Sequence, residues 1–272
     1  MSNKPFYIGW QEEMSPQHKR LLKRFLIPFF VLIPVLIIGV VLLQKPFNNH
    51  QFELGNIKEF TGVYHASPYP ILTISDDDLP PRFRDKLKGI SKSALLVGYG
   101  KFGAKGTMEM IEAQNGQSLN NKKVTIKGSL IYGDGKAIIE LTKQENSLVK
   151  VHDERQPPFG VIPSNENVTL TGEILDPKCY FGVMKPAVGK IHKSCAIRCI
   201  SGGIPPVFRV QTDKSNYDYY LVVDKNGNDL SESILSIVAE EVTLTGEKNI
   251  ENGWKVLTID YSDFNRLLTD NH

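Results

Sequence analysis

Val124-Thr125-Ile126-Lys127-Gly128, Val168-Thr169-Leu170-Thr171-Gly172 and Val242-Thr243-Leu244-Thr245-Gly246 are three copies of one phrase, V-T-[IL]-x-G. In each, apolar or β-branched residues alternate with polar ones, the period of a strand with one face in a core. Each copy ends on glycine, where a strand bulges or bends sharply because no Cβ obstructs it. The first copy runs on to Tyr132-Gly133-Asp134-Gly135 and the alternating segment Lys136–Leu141. The third meets Asn252-Gly253 and then Trp254–Ile259. Asp-Gly and Asn-Gly are strong hairpin turns, since these residues accept positive φ. The first and third copies therefore read as bulged hairpins of one design.

Strands that bend at a glycine and pair through hairpins suit small closed or partly open barrels. The expected fold is mainly β, with two OB-like barrel modules. The first occupies residues 58–145, with early strands at 60–64 and 94–98 and a helix at 81–88. The second occupies residues 165–272 and carries one short helix. Between them, residues 146–164 include Asp153-Glu154-Arg155-Gln156-Pro157-Pro158 and read as a linker. The copies of the phrase are too unevenly spaced for a solenoid.

Working toward the N-terminus, residues 25–43 (FLIPFFVLIPVLIIGVVLL) hold no charged or strongly polar side chain. A helix of that length spans roughly 28 Å, close to the ~30 Å hydrocarbon core of a bilayer. Pro28 and Pro34 are tolerated there because neighbouring groups re-satisfy the freed carbonyls. Gln44-Lys45-Pro46-Phe47 offers no small-residue cleavage site, so the segment reads as a retained transmembrane helix and not as a signal peptide. His18, Lys19, Arg20, Lys23 and Arg24 crowd its N-terminal side, against Lys45 alone close on the other. The expectation is a single-pass cell-membrane protein: residues 1–24 cytoplasmic, residues 44–57 a polar stalk, and the β modules periplasmic or otherwise extracytoplasmic. A net charge of +2, with acidic and basic residues interspersed, leaves no electrostatic footprint for nucleic acid.

The three cysteines of the chain fall within one short stretch: Cys179, Cys195 and Cys199, with His192 between them in the spacing C-x12-H-x2-C-x3-C. If residues 190–200 are helical, His192, Cys195 and Cys199 stand at i, i+3 and i+7 on one face. Gly202-Gly203 and Pro205-Pro206 then end that helix. Cys179 follows the second copy of the phrase and returns to the same face through a loop bearing Gly182 and Pro186. One imidazole and three thiols in reach of a point make a Cys₃His ligand set for zinc, copper or iron–sulfur chemistry. Two other readings stand beside it. Cys195 and Cys199 form a reversible thiol pair, which is geometrically awkward one turn apart on a helix. Alternatively, the cysteines pack as small hydrophobes in a partner-binding scaffold.

The string Gly172-Glu173-Ile174, Asp176, Cys179-Tyr180, His192, Cys195-Ala196, Cys199, Gly203-Ile204-Pro205 resembles a D-x-x-C-Y…H-x-x-C-A-x-x-C…G-x-P signature of uncharacterised bacterial secreted or membrane-anchored proteins. Residues 96–103, with Leu130-Ile131-Tyr132 and Gly135, are similar to longer anchored members. The resemblance implies a real site and an envelope location without naming a reaction. The C-x3-C and histidine pairing is also similar to that of membrane-anchored copper chaperones of oxidase assembly, whose thioredoxin-like pattern the rest of the chain does not follow. Gly98-Tyr99-Gly100-Lys101-Phe102-Gly103 lacks the Gly-Lys-Ser/Thr of a phosphate loop and reads as a bent strand. Neither an orienting Asn or Asp nor a substrate pocket is evident for a Cys–His nucleophile, so the balance is against an enzyme. The function expected is an accessory, assembly or electron-transfer component that binds a metal and partners with the membrane and other membrane-complex proteins.

Overall fold

The computed structural model describes residues 14–43, 50–75, 92–155, 162–213 and 216–260. The chain divides into two units, residues 1–48 and 49–272. The first contains α1 (Pro16–Leu43), which is long and apolar enough to cross a membrane, with a mean hydropathy of 3.1 over its best window. None of its side chains is buried, and Pro28 and Pro34 lie inside it. The helix begins nine residues before the apolar run, so His18, Lys19, Arg20, Lys23 and Arg24 occupy its first turns.

The second unit holds two closed five-stranded barrels. Barrel 1 is built from β2 (Lys58–His65), β3 (Ile71–Thr73), β4 (Ser93–Val97), β5 (Lys122–Gly133) and β6 (Lys136–Leu141). Its ring order is β2-β3-β4-β6-β5, closing on β2, with β4 and β6 parallel. Barrel 2 repeats that order with β8 (Ile162–Leu175), β9 (Val207–Gln211), β10 (Tyr217–Asp224), β11 (Glu241–Glu251) and β12 (Trp254–Ile259). Here β10 and β12 are the parallel pair. This five-stranded Greek-key arrangement is that of an OB-type barrel. Helix α2 (Lys105–Asn115) lies between β4 and β5, and Met108 and Ile111 on it pack into the core of barrel 1.

The three repeated glycines explain how the rings close. Gly128 pairs with Lys58 of β2 and Leu141 of β6; Gly172 pairs with Val242 of β11 and Val210 of β9; Gly246 pairs with Val168 of β8 and Ile259 of β12. Each sits where one long strand leaves its first partner and takes up the next, so the neighbouring backbone closes over its α-carbon. A Cβ there would lie 2.5, 2.2 and 2.3 Å from the carbonyl oxygens of Glu140, Arg209 and Thr258 respectively. Both hairpins form as the sequence suggests: Asp134-Gly135 joins β5 to β6 and Asn252-Gly253 joins β11 to β12, all four residues at positive φ.

Several local expectations change. Residues 146–164, read as a linker, contain β7 (Leu148–Arg155) on the edge of β5 and the start of β8. The prolines that suggested a linker lie at 157–158, outside the described residues, as do the helix expected at 81–88 and residues 44–49 of the stalk. The rest of that stalk belongs to barrel 1: His50 is buried, and β1 (Gln51–Phe52) pairs with Tyr132 and Ile131. Polarity misleads here because the His50 ring is matched by polar groups inside, Nδ1 at 3.0 Å from the Tyr180 carbonyl and Nε2 at 2.9 Å from Asp134 Oδ2. Residues 98–103 form a loop after β4, not a bent strand.

The barrels are not beads on a string. Each has its own core, but a third cluster runs between them, with Ile71, Leu95, Val97, Ile131 and Ile138 from barrel 1 meeting Leu175, Phe181, Val207, Leu221, Trp254 and Val256. Trp254 Nε1 donates to the Ser93 carbonyl at 3.0 Å and Tyr69 donates its hydroxyl to the Val222 carbonyl at 2.8 Å. Tyr219 donates across the same join to Asp134 at 2.5 Å. Burial opposes ionisation of Asp134, but the hydrogen bonds from His50 and Tyr219 outweigh it and hold this carboxyl below its usual range. Replacing Gly172 with Ala, which forces Cβ into the Arg209 carbonyl, should cost about 3 kcal/mol, the upper range for overpacking. Denaturant unfolding of the variant against wild type measures it.

Candidate metal centre

The cysteines lie where barrel 2 meets barrel 1. Strand β8 ends at Leu175, and Asp176-Pro177 turn the chain into a single wide turn, Cys179–Val183, with i→i+5 hydrogen bonding. Asp176 Oδ1 caps that turn by accepting from the backbone N–H groups of Lys178 (2.8 Å) and Cys179 (3.3 Å). The turn packs on barrel 1, with Gly182 against Ile131 and Phe52. Helix α3 (Lys193–Ile200) then presents Cys195 and Cys199 one turn apart, and His192 is its N-cap residue. The helix is three residues shorter than expected, so His192 stands at its lip and not within it. Its end is as anticipated: Gly203 takes φ +92°, and the Cys199 carbonyl accepts from the N–H groups of Gly202 and Ile204.

The three thiols, all free, converge: the sulfurs of Cys179, Cys195 and Cys199 lie within 4.8 Å of one another. A second triad shares Cys179, with ligand atoms of Asp176, Cys179 and His192 within 4.8 Å. Of the Cys₃His set of the sequence, the three thiols thus come together, while His192 groups with Cys179 and Asp176 and not with Cys195 or Cys199. Asp176 was quoted in the sequence signature but not as a ligand; its position three residues before Cys179 was the available signal. Close spacing of this kind fits one ion, since Zn–S bonds of ~2.3 Å in a tetrahedron set sulfurs roughly 3.8 Å apart. A [4Fe–4S] cluster binds each thiolate to a different iron and needs them spread more widely. Cys195 and Cys199 both lie on α3 one turn apart, the placement that is awkward for a disulfide between them.

Polar accounting marks the same place. Neither His192 ring nitrogen, nor Asp176 Oδ2, has a hydrogen-bond partner among the described residues, although all three atoms are buried. A buried polar group left unmatched costs about 1–3 kcal/mol, so two neighbouring residues left this way call for an explanation. A cation beside Cys179, the corner that the two triads share, would satisfy both. Burial holds the His192 imidazole below its usual pKa, which favours the neutral form a metal requires. The adjoining Cys199 thiol, together with burial and the Asp176 carboxylate, pushes the Cys179 thiol well up. A thiol raised in this way gives up its proton when a cation binds beside it.

Barrel 1 contributes the roof. Lys178, beside Cys179, buries its ammonium against Glu140 Oε1 at 2.5 Å and donates to the carbonyls of Gly98 (2.8 Å) and Gly100 (2.5 Å). The Gly100 N–H donates to the same carboxylate at 3.2 Å. The loop held in this way crosses α3, where the Gly103 N–H donates to the Gly202 carbonyl at 2.9 Å. It carries Lys101, whose Nζ lies 3.5 Å from Cys195 Sγ.

Lys178→Met removes the cation and strands Glu140. With side chains only 6% and 9% exposed, the loss should be about 3–5 kcal/mol. Thermal or denaturant unfolding measures the loss, and adding Glu140→Gln to Lys178→Met should recover part of it.

Compared with protein-family models, with curated proteins and with solved structures, the chain finds no match.

Proposed function

We propose that the protein is a single-pass, membrane-anchored envelope protein that holds one thiophilic cation, Zn²⁺ or copper, in the Cys179/Cys195/Cys199 centre, with His192 as the fourth ligand. The observation carrying this reading is the convergence of three free thiols within 4.8 Å next to an imidazole whose two ring nitrogens have no hydrogen-bond partner among the described residues. Cys179, Cys195 and Cys199 bind as thiolates and His192 through a neutral ring nitrogen, while the Asp176 carboxylate lies close enough to act on the imidazole or the ion. Soft thiolates and imidazole suit these two metals, and the close spacing suits a single ion.

The anchor supports the location. Helix α1 has the length and apolarity of a span, and the basic residues in its first turns favour a cytoplasmic N-terminus by the positive-inside rule. The barrels then stand outside the cytoplasm. A metal held at a barrel join, on a chain tied to the bilayer, suits an accessory or assembly role beside a membrane complex, in which the ion is stored or handed on. The centre's polar groups serve as ligands in this reading.

Full-length protein purified in detergent without chelator should carry about one equivalent of zinc or copper by elemental analysis, and Cys199→Ser should lose it. Cys199 is buried, so circular dichroism of the variant checks that the barrels remain. Unchanged metal content in folded Cys199→Ser removes the proposal.

A further inference from the structure

The ligand set is buried unevenly. Cys179, Cys199, His192 and Asp176 are 7%, 1%, 2% and 0% exposed, whereas Cys195 is only partly buried. The face of the centre that reaches water is therefore the Cys195 face. Its neighbour there comes from the other barrel: Lys101 Nζ, 3.5 Å from the sulfur, on a side chain that is itself exposed.

The main chain under Lys101 is fixed while its side chain is free. On one side Lys178 holds the carbonyls of Gly98 and Gly100. On the other, Gly103 and Gly203 meet backbone to backbone, so closely that a Cβ on Gly103 would lie 1.9 Å from the Gly203 carbonyl oxygen. A rigid loop thus holds one long, flexible, positively charged side chain over the single accessible sulfur. Lysine suits this position because its ammonium sits beside a thiolate as a charge partner and swings aside without disturbing the fold.

We propose that Lys101 and Cys195 form the exchange gate of the centre: the ion enters and leaves across Cys195, and Lys101 is the residue that must move to admit the exchanging ligand. The inference rests on the metal reading and adds a direction to it. The exchanging ligand is a soft donor, a thiolate or thioether of a carrier, which bonds to the ion on the Cys195 side. As that bond forms the Cys195–metal bond breaks, and Cys195 takes up one proton. Loading runs in reverse, and no electron changes hands. Cys179, Cys199 and His192, which are buried, hold the ion through this first step; further donors of the carrier then replace them, their bonds to the ion break, and each freed thiolate takes up a proton from water.

Two readouts on the full-length protein in detergent test the gate. In metal-stripped protein, iodoacetamide labelling followed by peptide mass spectrometry should modify Cys195 about tenfold faster than Cys179 or Cys199, following exposure. In zinc-loaded protein, Lys101→Ala should release the ion to a chromogenic chelator several-fold faster than wild type, with Lys101→Arg close to wild type. Equal labelling of the three cysteines, or release from Lys101→Ala at the wild-type rate, overturns the gate. A wild type that retains no zinc or copper defeats the metal reading instead, and the labelling order then still decides whether Cys195 is the open face.

Discussion

A buried ammonium must be matched or it does not stay buried, and Lys178 is matched entirely from the opposite barrel. Its Nζ reaches Glu140 and the carbonyls of Gly98 and Gly100, while its own backbone forms the turn that carries Cys179. Desolvating this pair is costly, and the two carbonyls together with the Gly100 N–H on Glu140 offset the cost. The geometry that results is specific. The loop bearing Lys101 is held across α3, the wide turn is held against β1 and β5, and the cysteines are held at the join between barrels. Together with the Gly103 N–H bond to the Gly202 carbonyl, this interaction fixes the roof over Cys195.

The centre combines two kinds of constraint that rarely coincide by chance. Apolar packing brings the thiols together, since Cys179, Cys195 and Cys199 all belong to the core shared by the barrels. Beside them both His192 ring nitrogens and Asp176 Oδ2 are buried without a hydrogen-bond partner among the described residues. Tight packing and unspent ligand capacity at one point are the features expected of a binding centre. The uneven burial of these groups, four buried and Cys195 partly so, is the basis of the proposed division between holding and exchange.

Much of the fold was legible because its decisive signals are local. Alternation and a terminal glycine mark Val124–Gly128 and its two counterparts as bending strands, and Asp134-Gly135 and Asn252-Gly253 fix both hairpins, so the barrel type followed from short range alone. The thiol cluster was legible for the same reason, as helix spacing sets Cys195 and Cys199 one turn apart. What the residues did not disclose is non-local. His50 reads as part of a polar stalk until Asp134 and the Tyr180 carbonyl are brought beside it. Residues 148–155 look like a linker until β5 offers an edge for them to pair with. Lys178 and Asp176 stand in the same short string as Cys179, yet their roles depend on carbonyls and ring nitrogens more distant in the chain. Lys101 is one lysine among many until the second barrel folds beneath it.

The central claim is that a single cation sits among these sulfurs, and X-ray absorption at the edge of the bound metal tests it most directly. The account predicts a first shell of about three sulfurs at ~2.3 Å and one nitrogen at ~2.0 Å, with no second metal nearby. A shell of oxygen and nitrogen alone, or a short metal–metal vector, would contradict it.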